Sequence, residues 1–69
     1  MSKLALTVNG EGRLVPGPAT VQDLLESLGL DPRGIVVELN RQIVRRPEIG
    51  RTALQNGDVL ELVHFVGGG

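Results

Sequence analysis

Apolar and polar residues alternate over the first segment of the chain, and this pattern predicts a β-hairpin. Over residues 3–8, leucine and valine occupy every second position, which is the period of a half-buried strand. Asn9-Gly10 follows, and this pair readily supplies the positive φ angles of a type I′ turn. We therefore predict a returning strand over residues 11–15. The Pro-Gly-Pro sequence at 16–18 should end that strand, because proline lacks the N–H that a ladder needs.

The spacing of apolar residues then changes to that of a helix. Valine or leucine stands at positions 21, 24, 25 and 28, which places these side chains on one helical face. Thr20 is a suitable N-cap, and Asp23 can complement the free N–H groups of the first turn. Gly29 can adopt the left-handed conformation that closes a helix, and Asp31-Pro32 prevents continuation. The predicted helix, residues 21–28, is too short to be stable unless it packs on a sheet.

A second pair of strands is predicted after the helix. Residues 35–39 are almost continuously apolar, Asn40-Arg41 forms a turn, and residues 42–44 make a short strand. Two arginines and a proline follow at 45–47, and a short strand flanked by charge and proline is typical of a sheet edge.

The last strand is the longest in the prediction. Before it, residues 48–55 should be irregular, with one helical turn at most, and with Ile49 and Leu54 pointing inward. Asn56-Gly57-Asp58 then turns the chain. The strand itself covers residues 59–66 and leads directly into three glycines.

The order strand, strand, helix, strand, strand, strand predicts an α+β fold of the ubiquitin-like β-grasp type. In this fold the strands, about five here, form one mixed sheet. The first and last strands lie parallel at its centre, and the helix packs on one face. Residues 1–66 should form this domain, and residues 67–69 a flexible glycine tail. The residues expected to face the helix are Leu4, Leu6, Val8, Leu60 and Leu62, together with Val36 or Val37.

The opposite face of the sheet has no predicted cover. By alternation, Val59, Val63 and Phe65 point to this face, and Phe65 is the only aromatic residue. An apolar patch beside a protruding tail is typical of a docking surface, so Val63 and Phe65 are candidate partner contacts. The alternative is that Phe65 packs against the irregular segment 48–55.

Arg45 and Arg46 form a basic corner at the predicted edge. We interpret them either as contacts to an acidic patch on a partner or as a solvated strand edge. The whole chain has seven basic and eight acidic residues and a net charge of -1, which gives no broad surface for nucleic acid or an anionic membrane. Cysteine is absent, which excludes disulfides and fits the cytoplasm. No apolar run approaches the ~20 residues of a membrane helix.

The sequence offers no catalytic constellation and no metal site. His64 is the only histidine, lies near the end of the last strand, and has no second ligand or carboxylate near it in sequence. We expect it to be a solvated surface group. No bound cofactor is expected either, so the fold supplies no chemistry of its own.

The three glycines at the end are the remaining chemical feature. Without Cβ atoms, Gly67, Gly68 and Gly69 can pass through a pocket too narrow for bulkier residues. The Gly69 α-carboxylate is inert until ATP converts it to an acyl-adenylate, from which a sulfur nucleophile displaces AMP and leaves a thiocarboxylate. We therefore expect adenylation and thiocarboxylate formation at Gly69. The alternative is that the glycines are a loose end without function.

The chain resembles the thiamin-pathway sulfur carriers (ThiS-like). Nearly the whole length takes part in this resemblance. The matching features are Val8-Asn9-Gly10-Glu11, Leu24-Leu25, Leu28-Gly29-Leu30, Val37-Glu38-Leu39-Asn40, Ile43-Val44, Gly57-Asp58 and Val66-Gly67-Gly68-Gly69. One departure is Arg45-Arg46-Pro47, where the family often has Pro-Arg after its fourth strand. This difference bears on how the corner at residues 45–47 contacts a partner, and it does not affect the predicted fold.

The resemblance implies a carrier that is not itself an enzyme. It implies that a ThiF or E1-like adenylating enzyme uses ATP to activate Gly69. A sulfurtransferase or cysteine desulfurase would supply the sulfur, and thiazole synthase would consume it.

Alternative functions remain open on the sequence alone. Other carriers of the same fold, such as the small subunit of molybdopterin synthase or a carrier for tRNA thiolation, also end in Gly-Gly. A ubiquitin-like protein modifier and a β-grasp binding module with an inert tail are further possibilities. The identity of the activating and accepting partners separates these alternatives, and the sulfur donor and oligomeric state stay undetermined.

Overall fold

A five-stranded mixed sheet with one helix on one face forms the described part of the chain, residues 2–65, in the computed structural model. The strands lie in the order β2-β1-β5-β3-β4. This architecture confirms the predicted β-grasp fold. The elements are β1 (Lys3–Val8), β2 (Glu11–Pro16), α1 (Val21–Ser27), β3 (Ile35–Leu39), β4 (Gln42–Val44) and β5 (Val59–His64), with 3₁₀ turns at Pro32–Gly34 and Arg46–Glu48.

The first and last strands are parallel neighbours at the centre of the sheet, as predicted. Their pairing is short, because only Thr7 with Val59 and Val8 with Leu60 lie opposite each other. On its other edge β5 pairs antiparallel with β3 over five residue pairs. The hairpins β1–β2 and β3–β4 complete the sheet on either side. The central strand β5 is therefore well supported on the β3 edge and much less so on the β1 edge.

Both hairpin turns use the left-handed conformation at an asparagine. Asn9 and Gly10 have φ of 50° and 83°, as the sequence predicts for a type I′ turn. Asn40 and Arg41 have φ of 51° and 72°, so the second turn places an arginine where glycine is preferred. The sequence predicted a turn at Asn40-Arg41, but not this conformation of the arginine.

The capping residues identified in the sequence hold both ends of α1. The Thr20 hydroxyl accepts from the Asp23 N–H at 3.1 Å, and the Asp23 carboxylate accepts from the Thr20 N–H at 2.8 Å. At the other end Gly29 has φ of 72°, and the Leu30 N–H donates to the Leu25 carbonyl at 2.9 Å. This is the Schellman arrangement, which satisfies carbonyls that the helix leaves free.

The segment before β5 is attached to the start of the helix. The N–H groups of Val21 and Gln22 donate to the carbonyls of Thr52 and Ile49 at 2.9 and 3.0 Å. These are first-turn donors that have no partner inside a helix. Ile49 and Leu54 are buried, as predicted, so this irregular connection closes one end of the core.

The core lies between α1 and the covered face of the sheet. It is entirely apolar among the described residues, and no buried polar side chain is found there. Of the two alternatives at adjacent positions of β3, Val37 is the buried one. Leu4 is half-buried and packs against the edge of the core. The buried residues are Leu6, Val8, Ala19, Val21, Leu24, Leu25, Ile35, Val37, Ile49, Leu54, Leu60 and Leu62.

Three predicted boundaries differ slightly from the structure. β2 runs one residue further, to Pro16, which lies opposite Lys3. Proline is tolerated there because the end of an edge strand needs no ladder N–H. The helix ends at Ser27, with Leu28 as its C-cap. Within the described residues β5 ends at His64, and Val66 lies outside them.

Candidate functional site

β5 connects the core to the three glycines predicted as the reactive end. Leu60 and Leu62 are buried beneath α1, and two residues after Leu62 the strand ends at exposed His64. Phe65 follows, and its N–H donates to the Gly34 carbonyl at 3.1 Å. The predicted tail and reaction site, Gly67, Gly68 and Gly69, lie outside the described residues.

The uncovered face of the sheet carries exposed apolar side chains next to this end. Val63 is 58% exposed and Phe65 is 47% exposed, so the two predicted contact residues are accessible. Val36 lies directly opposite Val63 on β3. Ile43 on β4 is 63% exposed and belongs to the same face, because it pairs with Glu38. We call Val36, Ile43, Val63 and Phe65 the apolar patch.

The apolar patch adjoins the predicted basic corner. A shallow depression of about 560 Å³ is lined by Phe65 together with both arginines, Arg45 and Arg46. Residues of β3 and β4 also line it, namely Ile35, Val36, Ile43 and Val44. Phe65 therefore lies beside β3, β4 and the basic corner and remains half exposed. The residues that line the depression with Phe65 do not include residues 48–55, which disfavours the alternative prediction that Phe65 packs against that segment.

A hydrogen bond connects the basic corner to the turn before β3. The Arg46 guanidinium donates to the Arg33 carbonyl at 3.3 Å, which joins the start of the 3₁₀ turn after β4 to the turn before β3. Arg33 itself is paired with Asp31 at 2.8 Å, the one ion pair found among residues 2–65. The Arg33 side-chain hydrogen bonds lower the pKa of Asp31 from 3.8 to about 2. Arg33 is thus neutralised locally, whereas Arg45 and Arg46 make no ion pair within that range.

The other end of the open face is acidic. Glu38 on β3 lies directly opposite Glu61 on β5, and like charges in such a pair repel each other. Val59 and Arg41 border the two carboxylates. The character of the side chains on the open face therefore changes along β5, from acidic near the start of the strand to apolar and basic near its end.

The sequence interpretation missed part of this face. It assigned Val63 and Phe65 from the alternation along β5 but did not extend the alternation to β3 and β4. The same period-two rule places Val36 and Glu38 outward on β3, and the register of the hairpin then places Ile43 beside them. Sequence periodicity alone could have found Val36 and Glu38, whereas Ile43 needed the register.

No cluster of metal-binding side chains is found within residues 2–65. His64 is exposed, and no three histidine, aspartate or glutamate side chains of these residues could hold a metal ion together. A second groove, of about 490 Å³, runs between β2 and α1, lined in part by Pro16, Leu24 and Leu28. It lies at the β2 edge, across the sheet from Phe65. Within the same range, no helix is long and apolar enough to span a membrane.

Known proteins similar to this chain include carriers and longer enzymes. It is 44% identical over 50 residues to the sulfur carrier protein ThiS of Bacillus subtilis, covering 72% of this chain and 76% of that one. It is 42% identical over 66 residues to a thiazole synthase of Paramagnetospirillum magneticum, covering 96% of this chain. It spans 20% of the length of that thiazole synthase.

A solved structure agrees with the fold. The crystal structure of the thiamine biosynthesis protein ThiS from Geobacter metallireducens superposes with a TM-score of 0.81 at 35% identity, covering 96% of this chain and all of the other, 100%. The model of the ThiS family matches residues 6–69, a range that includes all three glycines and every residue of the apolar patch. The chain therefore belongs to the ThiS family.

Proposed function

We propose that this chain is a sulfur carrier in thiamin biosynthesis, with the carboxylate of Gly69 as the reacting group. The observation that carries the proposal is the ThiS family match, which runs through the three glycines to residue 69. The name of the Bacillus subtilis relative, a sulfur carrier, supports it. The described residues support it indirectly, because they supply a packed body and an exposed patch beside the end of β5.

The chemistry takes place at the carboxylate of Gly69 in successive steps. A carboxylate oxygen of Gly69 attacks the α-phosphorus of ATP in an adenylating partner, which forms the acyl-adenylate and releases pyrophosphate. The outer sulfur of a persulfide on a sulfurtransferase or cysteine desulfurase then attacks the acyl carbon, and AMP leaves. A thiol cleaves the S–S bond of the resulting acyl disulfide, which releases the thiocarboxylate and leaves the thiol joined to the donor's sulfur as a disulfide. The resulting thiocarboxylate is ionised and nucleophilic, so a further enzyme can take up its sulfur.

Thiazole synthase is the proposed consumer of this sulfur. A segment similar to this chain corresponds to 20% of the Paramagnetospirillum magneticum protein named thiazole synthase. The presence of a carrier-like segment in the same chain as a thiazole synthase supports a functional interaction between the carrier and that enzyme. We place these reactions in the cytoplasm, with ATP bound by the adenylating partner rather than by the carrier.

The apolar patch and the basic corner are the proposed docking surface. Val63 and Phe65 are exposed at the end of β5, and Arg45 and Arg46 border the same depression. A partner surface with an apolar centre and a carboxylate at its rim would complement them. Because Val63 and Phe65 precede the glycines by only a few residues, a partner docked on this surface would hold the tail close to the partner's active site.

The test is to follow the mass of the intact protein during activation. The 69-residue chain is incubated with ATP and an adenylating enzyme of thiamin biosynthesis, then with a sulfur donor. The expected result is an AMP adduct, followed by a species in which sulfur replaces one oxygen, and then loss of that sulfur to thiazole synthase. A matched chain lacking Gly69 should fold equally well and give no thiocarboxylate.

Other results would contradict the proposal. Activation by a molybdopterin or tRNA-thiolation enzyme, but by no thiamin enzyme, would assign the chain to another sulfur pathway. Conjugates to lysines of other proteins would indicate a ubiquitin-like modifier. No adduct with any activating enzyme would indicate a binding module with an inert tail.

A further inference from the structure

The two edges of β5 are supported in different ways. Along β3, pairing continues to the end of the strand, where His64 lies opposite Ile35. Along β1, pairing stops at Leu60, because β1 ends at Val8 and the main chain turns away through Asn9 and Gly10. The β1 edge of the last β5 residues therefore lacks a neighbouring strand within residues 2–65.

The side chain of Asn9 extends the pairing on this edge. Its main-chain N–H donates to the Leu60 carbonyl at 2.9 Å, as in a parallel ladder. Its side-chain Oδ1 accepts from the Leu62 N–H at 2.7 Å, and its Nδ2 donates to the Leu62 carbonyl at 3.3 Å. A primary amide offers the same donor and acceptor as a peptide group. Asn9 therefore replaces the next strand residue of β1 while its backbone already forms the turn.

Within residues 2–65, this contact is the last one that β5 makes on the β1 edge. The next residue facing that edge is His64, which is exposed and beyond the reach of β1. On the opposite edge the final contact is the Phe65 N–H with the Gly34 carbonyl. Asn9 and Gly34 thus hold the end of β5 from two sides, as far as Phe65.

We propose that Asn9 is a positioning residue for the carrier reaction, which holds the end of β5 so that Gly69 reaches the activating partner's reaction centre. This inference rests on the proposed function. Gly69 is the fourth residue after Phe65, so when the glycines are extended in the partner's active site, a shift of Phe65 also shifts the reacting carboxylate. A displacement of about 1 Å at a reacting centre can cost about 100-fold in rate. Asn9 itself touches no substrate.

Asn40 provides a matched control within the same molecule. It also occupies the first turn position, with φ of 51° against 50° for Asn9. Its side-chain oxygen also accepts a main-chain N–H of β5, that of Val59, at 2.9 Å. The two asparagines differ in place, because Asn40 holds the start of β5 and Asn9 holds its end.

The experiment compares Asn9→Gly with Asn40→Gly. Glycine accepts the left-handed backbone, so each variant removes the side-chain bonds to β5 and keeps the turn. Adenylation by the activating partner is measured over a range of carrier concentrations. For Asn9→Gly we expect kcat to fall about tenfold with KM for the carrier nearly unchanged, because the docking surface is intact while the reacting carboxylate is displaced. For Asn40→Gly we expect both constants at the wild-type values.

A second variant and a second measurement keep the test decisive. Asn9→Asp keeps the acceptor for the Leu62 N–H but replaces the donor to the Leu62 carbonyl with a carboxylate oxygen, which repels that carbonyl. It should therefore also lower kcat, and it replaces Asn9→Gly if that variant does not fold. Amide hydrogen exchange should speed up at Leu62 and Phe65 in Asn9→Gly, and at Val59 in Asn40→Gly.

The possible outcomes separate this inference from the proposed function. If the wild-type chain is adenylated and the folded Asn9 variants turn over at its rate, the inference is wrong and the carrier function stands. Equal losses in the Asn9 and Asn40 variants would also overturn it, because they indicate a general loss of stability. If no activating partner adenylates the wild-type chain, the proposed function fails and the inference falls with it.

Discussion

Both faces of this sheet carry apolar side chains, which are buried on one face and exposed on the other. On the covered face Leu60 and Val37 are 0% and 1% exposed and pack against α1. On the open face Val63 and Ile43 are 58% and 63% exposed. The alternating sequence of β5 supplies both faces, so one strand contributes to the core and to a surface suited to partners.

This difference shows that apolar residues on a strand have two separate roles. Removal of buried side chains costs transfer free energy and leaves a cavity, whereas an exposed side chain gives up little on truncation. Substitutions on the covered face should therefore change stability, and substitutions on the open face should change partner interactions.

Leu60→Ala should have the largest effect. Leu60 is fully buried between the sheet and α1, so truncation should lower the free energy of unfolding by about 2–5 kcal/mol. Urea denaturation followed by circular dichroism measures this change. Val59→Ala, at the adjacent and 44% exposed position, is the control and should change the free energy by less than about 0.5 kcal/mol. Equal losses at both positions would mean that the open face is also part of the core.

Thr20→Ala should have an intermediate effect. The substitution removes the acceptor for the Asp23 N–H and should cost about 1 kcal/mol. Since the helix has seven residues, its stability depends on the cap and on packing over the sheet. Thermal unfolding should show the loss, and Thr20→Ser, which keeps the hydroxyl, should recover most of it. An unchanged melting temperature in Thr20→Ala would show that packing alone holds the helix.

The double substitution Val63→Ser and Phe65→Ser should have little effect on stability. Both side chains are about half exposed, so the free energy of unfolding should change by less than about 1 kcal/mol. The KM of the activating enzyme for this carrier should rise about tenfold or more, because interface anchors are typically apolar and aromatic. Leu14→Ser, at the 69% exposed position on β2, is the control on the same face away from the tail. A wild-type KM for the double variant would exclude the apolar patch as the docking surface.

The exposed ion pair at the corner should affect stability least. Its hydrogen bonds from Arg33 hold the pKa of Asp31 at about 2 in the folded chain, below the usual 3.8. The lowered folded pKa means that this contribution is present above pH 3.8 and is lost as the pH falls toward about 2. In Arg33→Ala the pKa of Asp31, followed by NMR, should return toward 3.8, with the melting temperature at neutral pH unchanged. A wild-type Asp31 that titrates near 3.8 would contradict this description.

Local signals in the sequence predicted most of the fold. Asn9-Gly10, the Thr20 and Asp23 cap, and Gly29 each act within a few residues, and each is found in the predicted role. The change from period two to period 3.6 identified the elements in the correct order. The parallel placement of the first and last strands followed from the resemblance of that order to a known fold.

Individual hydrogen bonds between distant residues were not predicted from the sequence. The Asn9 side chain bonds to Leu62, 53 positions away, although the sequence explains Asn9 fully as a turn residue. The attachment of Thr52 and Ile49 to the start of the helix was missed for the same reason. At the candidate site, alternation identified Val63 and Phe65, but the contribution of Ile43 depends on hairpin register. The role of Gly69 stays a prediction because it lies outside the described residues.

The proposed role of Gly69 is tested most directly by locating the sulfur in the chain after one turnover. The wild-type chain is treated with ATP, the thiamin adenylating enzyme and an isotopically labelled sulfur donor, and is then fragmented in a mass spectrometer. We expect a single labelled sulfur on the last fragment, at the carboxyl carbon of Gly69, and its transfer to thiazole synthase when that enzyme is added. Label on any other residue, or thiazole formation at the full rate from a chain whose Gly69 carboxylate is amidated, would contradict it.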